Sequence, residues 1–518
     1  MTEKNQKSLI KAKIKESLSM STLKGIPRVM KTKNKCIKSL WAVGTIMVIL
    51  AAGCHWYYLF SGYLKRTVFT IVQENYEAIL SNENFPGLTL CSLVPFSKDP
   101  TGEIPSYEQF HTKLLSKIKE LEKRNKTLNS RTKRLLIHKS IYYDWLGLND
   151  ARKIGQKEGV FILNCKLKIS GYEGAYLPCR NYSTITLIQN PYMFNCYAIK
   201  FNLPQIENGV IDKAVFTLYL DEISPDYSFY LKKNYNLLGE GIKILVHDKN
   251  NKFPRVQNEG FIISKGTKSI VTTRPVFRVR KPEPYTNCQE IPNDIYNFTG
   301  NLVKANSFAY CSLRLWQNEV VKKHGCISTT LLIVSELDHL KLPRCKELGR
   351  NITLNGLEAV INFINNFYNI TTIEYDSKNA TTGGRCRHPC YEHYFKQSYS
   401  SIDLKGSYFI NLLEYADNVE AIKNYLKVQQ TFQKCIEKDT EKSCIEKLAI
   451  VPYKNLIELE VQQNIHFGAL VEFDAPVFEL PDFLAKLAAT INFWVGFSAI
   501  IFIEIIDLIL QICIPGTV

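Results

Sequence analysis

The 518-residue chain has no internal repeat and no low-complexity tract, so solenoids and disordered linkers are set aside as its organising principle. Motifs of the common catalytic sites are missing too. No His-Glu-x-x-His pattern is present to seat a zinc ion. "GEGIKI" (Gly239 to Ile244) lacks the third glycine of a dinucleotide loop, and "VGFSAI" (Val495 to Ile500) lacks the closing glycine of a nucleophile elbow. Neither enzymatic activity nor a resident cofactor or metal is expected, and single histidines such as His247 and His388 read as surface or core residues rather than ligands. Acidic residues are the scarcer charge, 49 against 65 Lys and Arg, which leaves a net charge of +16.

Nine of those charges sit at the N-terminus, where residues 1–39 hold eleven Lys or Arg against Glu3 and Glu16. They precede "LWAVGTIMVILAAGCHWYYLF" (Leu40 to Phe60), and a second apolar stretch runs from Leu487 to Ile514. Each reaches the roughly 20 residues that a spanning helix needs. The first stretch could also be read as a signal peptide, but its length and the 39 residues before it argue for a retained span. A juxtamembrane basic cluster places the N-terminus in the cytoplasm, and its counterpart is membrane rather than nucleic acid. Two readings of the cluster stand: contact with anionic inner-leaflet lipid, or topology alone.

Two spans return the C-terminus to the cytoplasm and leave about 420 residues outside the cell. Twelve of the fifteen cysteines fall in that region, an even number that suits an oxidised ectodomain. The sequons at Asn125, Asn181, Asn297, Asn351, Asn369 and Asn379 lie there as well, as glycosylation acceptors would. The expected organisation is 1–39 cytoplasmic, 40–62 first span, 63–484 extracellular, 485–513 second span and 514–518 a short tail.

Within the outside region, Leu114, Leu115, Ile118 and Leu121 stand at helical spacing among charges, an exposed amphipathic helix followed by a basic stretch read as a loop. From 159 to 280 the pattern becomes β, with "GVFILNCKLKI", "YSTITLI", "AVFTLYL", "GIKILVHD" and "SIVTTRPVFRV" between turn residues. Residues 354–368 and 408–434 return to helical period, and "KNLIELEVQQN" reads as a last strand. An α+β ectodomain follows.

The second span keeps Glu504 and Asp507, each disfavoured at a helix centre by about 2.5–3.5 kcal/mol on insertion scales. At 100° per residue they share a wedge of roughly 120° with Asn492 and Gly496. A lone anchor helix whose acids reach the headgroups accounts for Asp507, but not for Asn492 and Gly496 on the same side. Several copies around a wet axis account for all four.

Several stretches, in collinear order, resemble the degenerin/epithelial sodium channels, a family with acid-sensing and peptide-gated members. They are "FPGLTLC" (Phe85 to Cys91), "CYAIKFN" (Cys196 to Asn202), "GIKILVHDKNNKFP" (Gly241 to Pro254), "PEPYTNC" ending at Cys288, "CRHPCYEHYFKQSYS" (Cys386 to Ser400) and "VGFS" (Val495 to Ser498). The resemblance implies a trimeric membrane protein in which two transmembrane helices flank a disulfide-rich ectodomain, with a central β-sheet palm and helical finger, thumb and knuckle regions. It implies an amiloride-sensitive sodium channel of the plasma membrane, a homo- or heterotrimer with related subunits. Gating by an extracellular peptide is the first choice, with protons or tension next.

Carried over position by position, the family's disulfides imply Cys91 with Cys196, Cys165 with Cys179, Cys288 with Cys390, Cys311 with Cys386, and Cys326 with Cys345. Cys435 and Cys444 would close a hairpin outside the family pattern. Gly496, Phe497 and Ser498 would form the selectivity filter, with Glu504 and Asp507 as pore acids below. "STLKGI" (Ser21 to Ile26) resembles the gating motif, with Lys24 in place of the usual His before Gly25. Ala485 stands where bulky replacements hold family channels open, and Tyr285 where a Trp is common. Ser61, Gly62 and Tyr63 stand where acid-sensing members often carry histidines, which weakens proton gating. The alternatives are a membrane-tethered receptor or adhesion ectodomain without conductance, and an ATP-gated type of trimeric channel. For the latter, Lys65 and Arg66 are thin support.

Overall fold

The computed structural model describes residues 11–12, 14–16, 19, 26–75, 85–95, 97, 103–124, 127–170, 176–202, 210–220, 239–249, 259–290, 293–296, 302–305, 308–329, 342–373, 386–404, 455–463, 468–477 and 479–495. In chain order the elements begin with helices α1 (Ile26–Lys31) and α2 (Lys35–Leu64), then strands β1 (Val68–Asn75) and β2 (Gly87–Ser92). Helices α3 (Tyr107–Lys123), α4 (Ser130–Leu136), α5 (Lys139–Leu146), α6 (Leu148–Ile154) and α7 (Glu158–Phe161) follow. Strands β3 (Ile162–Ile169), β4 (Tyr176–Pro178), β5 (Ser183–Asn190), β6 (Phe194–Phe201), β7 (Ile211–Tyr219), β8 (Gly241–His247), β9 (Phe261–Ser264) and β10 (Thr267–Val279) come next. The short strands β11 (Cys288–Gln289), β12 (Asn293–Tyr296) and β13 (Leu302–Ala305) lead to helices α8 (Phe308–His324) and α9 (Leu354–Ile373). Strands β14 (His388–Pro389), β15 (Tyr391–Asp403), β16 (Leu456–Gln463) and β17 (Ala469–Pro476) precede helix α10 (Leu480–Val495).

The chain divides into two compact units. One comprises Met1–Ile71, Lys281–Thr286 and Asp474–Val518, and the other comprises Val72–Arg280 and Asn287–Phe473. Two of the four divisions fall inside strands, β1 and β17.

The larger unit is built on two sheets. The first has the order β1-β17-β10-β16-β7-β3-β4, with β15 also on β10, and the second has the order β5-β6-β2-β8-β9. Strand β10 organises the first sheet: β15 runs antiparallel along it from Thr267 to Val279, while β16 and then β17 pair parallel with its successive halves. Alternation sorts the residues into two faces. Val271 of β10, Ile457, Leu459 and Val461 of β16 and Phe216 and Leu218 of β7 enter one continuous core. On the opposite face Glu458 and Glu460 are nearly enclosed, and each meets a lysine, Lys268 at 3.0 Å and Lys213 at 2.7 Å. In the second sheet β2 is buried along its whole length between β6 and β8. Gly241 is required where β8 meets β9, since a Cβ there would lie 2.0 Å from the Ile263 carbonyl oxygen.

Helix α3 shows why its sequence is helical. Ser106 accepts from the backbone of Gln109 at 3.1 Å while the Gln109 side chain accepts from Ser106 N at 3.2 Å, a reciprocal cap that supplies two end groups with partners. Phe110, Leu114, Ile118 and Leu121 then enter the core, whereas Leu115 points outward. The basic stretch that follows is not a loop: Asn129 caps α4 through Thr132 N at 2.7 Å, and α5 is buried throughout.

Five disulfides close among the described residues: Cys91–Cys196, Cys165–Cys179, Cys288–Cys390, Cys311–Cys386 and Cys326–Cys345. Their Cα separations, from 4.4 to 5.8 Å, suit such bonds. Cys435 and Cys444 lie outside the described residues. Asn181 and Asn351 are exposed and the side chain of Asn369 is not described, while Asn125, Asn297 and Asn379 lie outside.

Candidate functional site

Helix α2 spans 30 residues, about 45 Å at 1.5 Å per residue. Among the described residues it is the helix long and apolar enough to cross a membrane. It begins before the apolar run because Asn34 caps it, accepting from Cys36 N at 3.0 Å. Arg28 of α1 lies over the Trp41 ring, 5.4 Å from its centroid. The apolar side chains of α2 are largely exposed in the single chain, among them Leu40, Val43, Met47 and Leu50, as a lipid-facing helix requires.

Helix α10 packs against α2. At one end Phe483 stacks on Tyr63, with ring centroids 4.4 Å apart and planes 19° apart, and tilts against Phe60 at 6.1 Å. About three turns further along, Trp494 Nε1 donates to His55 Nδ1 at 3.2 Å. Phe483 and Thr490 are buried, and Leu487, Ile491 and Trp494 are half-buried. At 100° per residue, Phe483, Leu487, Thr490 and Trp494 form a stripe roughly 60° wide. The Thr490 hydroxyl donates back to the Lys486 carbonyl at 2.8 Å, so its polarity is satisfied within its own helix.

Ala485 and Asn492 are exposed in the single chain and lie about 180° round the helix from that stripe. The face the sequence marks as polar and small is thus the face that α2 leaves uncovered. Gly496, Phe497, Ser498, Glu504 and Asp507 lie beyond the described residues, as do Lys24 and Gly25. The loop Lys281–Thr286 belongs to the same unit as these helices. Within it the Tyr285 ring carries the Lys281 ammonium 4.9 Å from its centroid, Tyr285 N bonds to the Pro282 carbonyl at 3.1 Å, and the Thr286 hydroxyl bonds to the Lys281 carbonyl.

The larger unit holds two polar clusters that position charge. Glu472 of β17 accepts from Lys396 Nζ and from the Tyr394 hydroxyl, each at 2.9 Å. The lysine contact draws its carboxyl below the usual range, while burial pushes the Tyr394 hydroxyl up to about 12. Beside it, Arg280 reaches Glu392 at 2.6 Å and the Pro389 carbonyl at 2.8 Å, next to the Cys288–Cys390 bond. The second cluster surrounds Asp144 of α5, whose Oδ2 accepts from the Thr329 hydroxyl at 2.9 Å and whose Oδ1 lies 4.0 Å from Arg344. Burial raises its carboxyl to about 6, against the opposing pull of Lys346 and Arg344. Neither the Asp144 and Glu472 clusters nor the His55–Trp494 bond was anticipated from the sequence. The signals were a histidine within an otherwise apolar span, for His55, and a single acid in "YYDWL", for Asp144.

A family model described as "Amiloride-sensitive sodium channel" matches residues 17–508. Among curated proteins, the chain is similar to an FMRFamide-activated amiloride-sensitive sodium channel from Cornu aspersum. The two are 21% identical over 549 aligned residues, covering 96% of this chain and 83% of the relative. The match takes in α2, both sheets, the five disulfides and α10, and it extends past Glu504 and Asp507; the chain belongs to the amiloride-sensitive sodium channel family.

Proposed function

We propose that the protein is a sodium-permeable, amiloride-sensitive channel of the plasma membrane, a trimer with both termini in the cytoplasm. Three copies of the second helix line the pore. The observation that carries this reading is the division of α10 into two opposed faces: Phe483, Thr490 and Trp494 engage α2, while Ala485 and Asn492 are left exposed. A helix that only anchors has no use for a small and polar face turned away from its neighbour. Continued at the same pitch, that face carries Gly496 and Asp507, while Glu504 turns off it toward the covered side. Gly496, Phe497 and Ser498 from each copy form the narrow ring, where carbonyl and hydroxyl oxygens replace part of an ion's hydration shell. Below the ring, Glu504 and Asp507 concentrate cations.

The stimulus is a short extracellular peptide, by analogy with the peptide-activated relative. Tyr285, where the family commonly carries a Trp, is a gating residue. Lys24 beside Gly25 puts a fixed positive charge at the cytoplasmic entry, which lowers open probability or weakens sodium selectivity.

Whole-cell recording tests the reading. Cells expressing the chain, alone and with related subunits, are challenged with FMRFamide-type peptides, acid and amiloride. Replacing external sodium with a large organic cation shifts the reversal potential to negative values, and amiloride blocks the current. A reversal potential that ignores external sodium defeats the channel reading.

A further inference from the structure

Thr45 and His55 both bring polarity into the apolar length of α2, and they dispose of it differently. Thr45 donates to its own helix, to the Trp41 carbonyl at 2.7 Å, whereas His55 bonds across to Trp494 of α10 at 3.2 Å. An indole nitrogen only donates, so imidazole Nδ1 accepts, and His55 is the neutral tautomer with its proton on Nε2. In hydrocarbon no water replaces a lost partner, so the bond is held more firmly than an exposed one in water.

The position of the bond gives it leverage. The stack of Phe483 on Tyr63 fixes the outer end of α10, eleven residues before Trp494. The His55 bond fixes the other end, two residues before Gly496. Residues two apart on a helix point about 200° away from each other, so a Trp494 held on α2 directs Asn492 and the start of the Gly496 segment to the opposite side. The reach is consistent as well. Side chains lean toward the N-terminus of their own helix, and in this antiparallel pair His55 and Trp494 therefore lean toward one another.

We propose that His55 is a positioning residue for the pore helix, setting through Trp494 the rotation with which the Gly496 segment faces the axis and hence the discrimination between sodium and potassium. This rests on the channel reading above. The test uses the full chain in an Ala485→Phe background, so that current needs no stimulus, with surface biotinylation to normalise expression. His55→Phe removes the acceptor and Trp494→Phe removes the donor at the other end of the same bond. His55→Gln keeps an acceptor.

His55→Phe and Trp494→Phe are each expected to lower the sodium-to-potassium permeability ratio about threefold, the scale of one interhelical hydrogen bond. The double variant should fall no further than either single one, and His55→Gln should keep the parent ratio. A sodium-selective parent whose ratio is unchanged by both Phe variants overturns the proposal and leaves the channel reading standing. So does a double variant that loses the product of the two single effects. A parent with no sodium current at all overturns the channel reading, and this proposal with it.

Discussion

The Thr329 hydroxyl donates to Asp144 Oδ2 at 2.9 Å, across 185 residues of chain and beside the Cys326–Cys345 bond. Asp144 is almost completely enclosed, and its carboxyl is raised from 3.8 to about 6. The folded state thus holds a proton that the unfolded state has already released, and stability from this group falls as pH rises from about 4 to about 6. Asp144→Asn lacks the titration. The difference in unfolding free energy between wild type and this variant should therefore shrink by about 2–3 kcal/mol across that window. Thermal melts of the solubilised full chains at pH 4.5, 5.5 and 6.5 check it. A constant difference would show that Asp144 does not titrate there.

Ser106→Ala removes one half of the reciprocal cap on α3 and should cost about 1 kcal/mol. Gln109→Ala should cost less, because the Ser106 oxygen would still accept from the backbone of residue 109. Denaturant midpoints for the two variants should fall in that order.

Gly241→Ala is expected to be severe. The new methyl would meet the Ile263 carbonyl oxygen at 2.0 Å, a backbone atom held in the β8–β9 pairing. Parting the pair or bending β8 should cost about 3 kcal/mol, at the upper end of overpacking effects. Gly159→Ala, where a Cβ meets nothing within 4 Å, is the control. Melting temperatures of the two variants should separate clearly.

Ala485→Phe places bulk on the exposed face of α10, opposite the α2 contact. In a trimer it would crowd the axis and should hold the pore open, giving a standing sodium current without stimulus. Phe483→Ala, on the covered face, should instead reduce surface delivery without standing current. Recording and surface labelling of both variants distinguish the faces.

Much of the architecture was legible because alternation and helical period survive burial. "GIKILVHD" and "SIVTTRPVFRV" read as strands and form β8 and β10, and residues 354–368 read as helix and lie within α9. The stretch after Lys123 misled because its charges suggest a loop, while the caps at Asn129 and His138 and the burial of α5 make it helical. The helix read as exposed is in fact packed on the core through Phe110, Leu114, Ile118 and Leu121, a stripe that leaves Leu115, grouped with them by spacing, outside. The opposed faces of α10 were half visible: Asn492 marked the polar side, but only packing identifies Phe483 and Trp494 as the side held by α2. The pairing of Asp144 with Thr329 and of His55 with Trp494 could not be read, since each joins segments far apart in sequence and local pattern marks only one partner of each, His55 in its apolar span and Asp144 in "YYDWL".

The passage of the chain from one unit to the other inside β1 and β17 has a mechanical consequence. A strand is already drawn out at about 3.3 Å per residue, so it cannot lengthen to absorb a pull as a coiled linker does. Neither crossing therefore holds slack chain that could be drawn out under load.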